Sequence, residues 1–115
     1  MVGGPHTFNL TWIMEDFKNK NPKLYQAYVD ALTEATDFIN KSPEETARIF
    51  VEGEKSKLSA QEILDQMKLE GVRFSLTPTG LMKYADFMKR TGLIQNVPGS
   101  WKDYAFENLH GLPGN

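Results

Sequence analysis

Hydrophobic positions along this chain follow two rhythms. Between residues 7 and 13 apolar and β-branched side chains crowd together, with Phe8, Leu10 and Trp12 on one side of an extended backbone and Thr7, Thr11 and Ile13 on the other. Gly3, Gly4 and Pro5 punctuate the start of this run, and the pattern predicts one N-terminal β-strand. A lone strand leaves backbone donors and acceptors unpaired, so it needs partners and helices to cover at least one face.

From residue 14 onward the spacing is helical. Asn21 before Pro22 sets a cap beside a first helical position with a fixed φ, and Leu24, Tyr28, Ala31, Leu32, Ala35 and Ile39 recur as an inner face, predicting a helix over about Pro22 to Lys41. A shorter helix, about Glu15 to Lys20, joins it to the strand. Ser42, Pro43 and Glu45 form a capping box for a helix with Ala47, Phe50 and Val51 inward that ends near Gly53. Ser59 and Glu62 make another, flanked by the Leu58/Ile63 staple; Ile63, Leu64 and Met67 share one face, and Gly71 closes the helix.

Val72, Phe74 and Leu76 alternate through a short extended link. Thr77 and Pro78, with the Leu76/Leu81 pair, launch a further helix with Leu81, Tyr84, Ala85 and Met88 inward and a stop at Gly92. Ser100 and Asp103 mark a last short turn around Trp101. The expected fold is mainly α with one N-terminal β-strand and about six helical segments, in a single domain over 1–115, with the strand in 1–13 and the helical part in 14–115.

Composition narrows the classes. At 115 residues, 40% hydrophobic and 24% charged, the chain has the make-up of a folded globular domain rather than a disordered one. Thirteen basic against fifteen acidic residues give a net charge of −2 with no sustained block of one sign, which argues against a nucleic-acid partner. No window approaches the ~18 apolar residues of a membrane span, and the N-terminal residues lack the basic and apolar regions of a signal peptide; the chain as written is expected to be cytoplasmic. The absence of cysteine removes disulfides, thiol nucleophiles and cysteine metal sites.

Candidate chemistry is sparse. His6 and His110 stand in no metal-ligand array, and no metal or cofactor is expected. Gly3 and Gly4 are too few for a dinucleotide loop. Glu15/Asp16 and Glu44/Glu45 lie in first turns, where carboxylates favour the positive end of the helix dipole. Met67, Met82 and Met88 with Tyr84 and Phe87 read as core filler, and Lys83, Lys89 and Arg90 as a solvated face. No Ser/His/Asp grouping has local support, so the residues do not argue for an enzyme.

The order of segments carries a resemblance. The stretches "GGPHTFNLTWI", "NPKLYQAYVDALTEATDFIN", "SPEETARIFVEGEKSKLSAQEIL", "VRFSLTPTGLMKYADFMKRTGLI" and "GSWKDYAFENLHGLPG" together resemble the C-terminal part of ABC-transporter substrate-binding proteins, in the nitrate/sulfonate/taurine and thiamine-pyrimidine group. The resemblance implies a partial lobe of a type II periplasmic-binding-protein α/β fold that closes on a small-molecule solute and presents it to an ABC permease at the periplasmic or cell-surface side. It also implies that residues 1–13 are an interlobe crossing, that Gly3, Gly4, His6 and Thr7 face the ligand cleft, and that so short a segment lacks tight binding alone. A different class of reading is a self-associating module in which two copies pair as a homodimer through residues 6–13. A third is a fragment of a pyrimidine synthase that uses pyridoxal phosphate and iron, as relatives in the resembled group do.

Overall fold

A computed structural model describes residues 3–115 and divides the chain into two compact units, one from Trp12 to Leu76 and the other from the N-terminal residues through Thr11 together with Thr77–Asn115. These divisions fall elsewhere than between residues 13 and 14.

The Trp12–Leu76 unit is helical: α1 (Glu15–Lys20), α2 (Pro22–Lys41), α3 (Pro43–Glu54) and α4 (Ala60–Met67). Its core lies between α3 and α4, where Ala47, Ile63 and Leu64 are buried and Val51, Ala60 and Met67 pack around them. The α4 capping box is complete: the Ser59 N–H donates to Glu62 Oε2 at 2.8 Å, and the Glu62 N–H donates to Ser59 Oγ at 3.3 Å. The corresponding box at Ser42 is not formed; Ser42 offers only its backbone carbonyl, which accepts from the Thr46 N–H at 2.9 Å and from the Thr46 hydroxyl at 2.9 Å. α3 runs past Gly53, and Lys55 instead takes the left-handed conformation, φ +49°, so that the Ser56 N–H reaches the Val51 carbonyl. α4 stops at Met67, ahead of Gly71, and a turn in which the Val72 N–H donates to Leu69 O leads into the extended link.

The inner face expected of α2 is largely bare. Leu24 is 58% exposed, Tyr28 45% and Leu32 37%, and no residue of the helix is buried. Its amphipathic spacing fixes which side is apolar, but within this unit the core closes over α3 and α4 instead. The far end is tied down by Asn40, whose Nδ2 donates to Thr36 O and to Phe74 O at 3.0 Å.

The second unit holds α5 (Leu81–Arg90) and two 3-10 turns, Trp101–Tyr104 and Glu107–Leu109. Ser100 and Asp103 cap the first turn reciprocally, as their spacing predicts. Trp101 is buried at its start, with the His110 ring edge-on at 6.1 Å. His110 Nε2 lies 3.0 Å from Lys102 O and 2.9 Å from Ala105 O, a fork that fastens the turn. α5 ends as predicted at Gly92 (φ +76°), where the Gly92 N–H donates to Lys89 O and the Leu93 N–H to Met88 O in a Schellman motif. It begins at Leu81, three residues beyond Pro78, because the intervening turn is engaged with other segments.

The mainly helical class is as expected, whereas the N-terminal strand is not formed among the described residues. Thr7 explains why. Its N–H donates to Thr79 O at 2.7 Å, but the Thr79 N–H returns to the Thr7 side-chain Oγ1 at 2.8 Å rather than to a backbone carbonyl. A side-chain acceptor satisfies Thr79 and ends the ladder at its first rung. Nor is a face covered: Phe8 is 88% exposed and Leu10 63%.

Candidate functional site

The residues expected at a ligand cleft, Gly3, Gly4, His6 and Thr7, come together against the start of α5. Gly3 and Gly4 both have positive φ, +66° and +75°, and this double left-handed turn brings the Gly3 carbonyl to Lys83 Nζ, which donates to it at 3.1 Å. A Cβ on Gly4 would stand 3.2 Å from the same ammonium. His6 Nδ1 lies 3.1 Å from the Gly4 carbonyl oxygen, an acceptor that places the ring proton on Nδ1. The His6 ring meets Tyr84 edge-to-face, with centroids 5.5 Å apart and planes at 82°.

Beneath this face runs the turn Pro78–Gly80. Gly80 (φ +74°) passes so close under the N-terminal segment that a Cβ would lie 3.0 Å from both His6 Cβ and Pro5 O. Thr7 grips Thr79 from the same side through the two bonds given above. Asn115 holds the turn as well: its N–H donates to Pro78 O at 3.1 Å, its Oδ1 accepts from the Gly80 N–H at 2.6 Å, and its carbonyl accepts from the Leu81 N–H at 2.9 Å.

The arrangement is suited to binding. It gathers the exposed Lys83 ammonium, which has donors left for an oxyanion, with the His6 ring, whose Nε2 presents an acceptor lone pair, and the half-buried Tyr84 ring, which suit the edge of a polar heterocycle. Among the described residues no cluster of His, Asp or Glu has the makings of a metal site. Two concavities lie elsewhere, one of about 490 Å³ beside Asp30, Thr33 and Asp37 of α2, and one of about 290 Å³ lined by Ile39, Met67, Arg73 and Phe74. Neither includes a candidate residue. Three of the first-turn carboxylates form ion pairs: Asp16 with Lys20 at 3.3 Å, Glu45 with Arg48, and Glu44 with Lys68 at 3.7 Å.

Sequence reasoning missed three residues here. Lys83 reads as solvated face, Tyr84 as helix core, and Asn115 carries no periodic or motif signal. The positive-φ glycine at position 80, following Pro78, is a turn signal that leads to the first two. No protein-family model, no curated protein and no solved structure matches the chain. Among the described residues, no helix is long and apolar enough to cross a membrane.

Proposed function

We propose that this chain is the C-terminal segment of a solute-binding component of an ABC transporter, a partial lobe of a type II periplasmic-binding-protein fold, and that the His6–Lys83 face is its remnant of a ligand-contacting surface. The observation that carries the reading is the convergence of Gly3, Gly4, His6 and Thr7 with Lys83 and Tyr84 on one exposed face. The ammonium suits a small oxyanion such as nitrate or a sulfonate, and the His6 Nε2 lone pair and the Tyr84 ring suit the edge of an aminopyrimidine. The face is open on its outer side, with His6 and Lys83 both exposed, so a solute keeps most of its water and binds weakly. The partners in this reading are the small-molecule solute and a permease, and the working location is the periplasmic or cell-surface side of the membrane.

Titration of the 15N-labelled chain with taurine, nitrate and an aminopyrimidine tests it. Millimolar-range shifts at His6, Thr7 and Lys83 that disappear in Lys83→Ala are expected. No shift at these residues for any of the three sinks the binding reading, and a micromolar constant sinks its weak-binding clause.

A second reading rests on a different observation: Phe8, Leu10 and, at the head of the other unit, Trp12 are 88%, 63% and 79% exposed. Two copies pairing through residues 6–13 as a homodimer would remove these side chains from water. Sedimentation equilibrium separates the readings, since a strict monomer at high micromolar concentration excludes this one.

A further inference from the structure

α5 lacks an N-cap side chain of its own. Its N-cap is Gly80, in the left-handed region, and the amides of Gly80 and Leu81 take their partner from Asn115, 35 residues beyond Gly80 in the chain. Asn115 fills that role with both its side-chain and its backbone oxygen, taking the Gly80 and Leu81 N–H groups, while its own N–H takes the Pro78 carbonyl. The preceding residue is equally committed. Gly114 lies flat on Trp101, where a Cβ would come within 2.7 Å of the indole and 2.9 Å of Pro78 O, so that only glycine fits between ring and turn. The opposite edge of the turn is held by Thr7, through both backbone groups of Thr79.

We propose that residues 114–115 are a latch, with Asn115 a positioning residue that holds the Pro78–Leu81 turn in the shape Thr7 grips. Seated, the latch fixes Thr79 for Thr7 and stacks Gly80 under His6, which sets the His6–Lys83 face. Released, it leaves the Gly80 and Leu81 amides and the Pro78 carbonyl without their partners. The turn then slackens, and the segment carrying Gly3 to Thr7 loses its footing on α5. The state of one end of this unit is thereby transmitted to the other through four residues of backbone. The inference holds whatever the face binds.

Amide exchange of the full 15N-labelled chain decides it. Asn115→Ala is expected to speed exchange at Gly80 by about tenfold, the loss of one net hydrogen bond, to speed it less at Leu81, whose acceptor is the backbone carbonyl that remains, and to move the Thr7 and His6 resonances. Ala85 and Thr91, further along α5 in the same unit, report that this unit remains folded and should keep their wild-type rates. Asn115→Asp retains an acceptor at the same place and should stay near wild type, whereas Gly114→Ala should behave like Asn115→Ala. Unchanged exchange at Gly80 in Asn115→Ala overturns the latch. Faster exchange there with unmoved Thr7 and His6 resonances also overturns it, because Asn115 is then a local cap and nothing more.

Discussion

The α3–α4 pair and the Pro78–Gly80 turn hold their units together in opposite ways. α3 and α4 are neighbours in sequence, each carries its own apolar stripe, and their joint excludes water from Ala47, Ile63 and Leu64. The turn is a meeting of three segments from residues 7, 79 and 115, joined through backbone groups and the side-chain oxygens of Thr7 and Asn115, with the buried Trp101 indole against Gly114 as its apolar neighbour. Burial of side chains tolerates small shifts in position, since the hydrophobic effect is non-directional. Hydrogen bonds do not, because their strength falls steeply with angle and distance. The helical joint is therefore expected to fail by losing volume and the turn by losing geometry.

The largest effect should come from removing volume. Leu64→Ala takes away much of the few buried side chains in its unit and should cost about 2–5 kcal/mol, read as a fall in the urea midpoint of far-UV circular dichroism. A loss under about 1 kcal/mol would mean that the α3–α4 joint is not where this unit's stability resides.

Adding a methyl group to the turn tests the other side. Gly80→Ala meets both a positive φ and a contact at 3.0 Å with His6 Cβ, and should destabilise its unit by about 1–3 kcal/mol. The readout is Trp101 emission in urea, in a Trp12→Phe background so that one indole reports. If Gly80→Ala and Gly53→Ala cost the same, geometry has no special weight at the turn, for Gly53 sits in a helix with open space around its missing Cβ.

The smallest effect sharpens the helical side. Ser59→Ala removes the α4 cap and should cost ~1 kcal/mol. Its pH dependence is distinctive. Hydrogen bonds from the Ser59 backbone and hydroxyl hold the Glu62 carboxyl below its usual value of 4.5. A carboxyl lowered in the folded state adds stability that is present above 4.5 and lost as pH falls through the lowered value. Ser59→Ala keeps the backbone donor, the larger cause, so it should retain most of this pH dependence. The gap between wild type and variant should narrow in acid without closing, because Ser59 Oγ also accepts from the Glu62 N–H; a gap that closes completely assigns the cap to the hydroxyl–carboxylate bond alone.

What could be read from the sequence follows the same division. The bounds of α1 and α2, the Ser59/Glu62 and Ser100/Asp103 boxes and the Gly92 stop were legible because each is decided within one or two turns of chain. The apolar spacing of Ile63, Leu64 and Met67 located the core for the same reason. Spacing misplaced burial in α2, since an apolar stripe states a preference that only a neighbouring element can satisfy. The strand pattern at residues 6–13 failed because pairing depends on a partner, and Thr79 meets a hydroxyl there instead. The grouping of Gly3, Gly4, His6 and Thr7 came from a resemblance, whereas their contacts with Lys83, Tyr84 and Thr79 required the folded chain.

α2 carries one further consequence. A helix of 20 residues with no buried side chain has light tertiary packing to make its turns melt together, so its exposed turns lean toward helix–coil statistics. It is held at its start by α1, where Lys18 Nζ stands 5.6 Å from the Tyr25 ring, and toward its end by Asn40, pinned to the Phe74 carbonyl. Heating such a chain gives an ellipticity that drifts continuously before any sigmoid begins, and a two-state fit that takes this drift for baseline will understate the enthalpy of the whole.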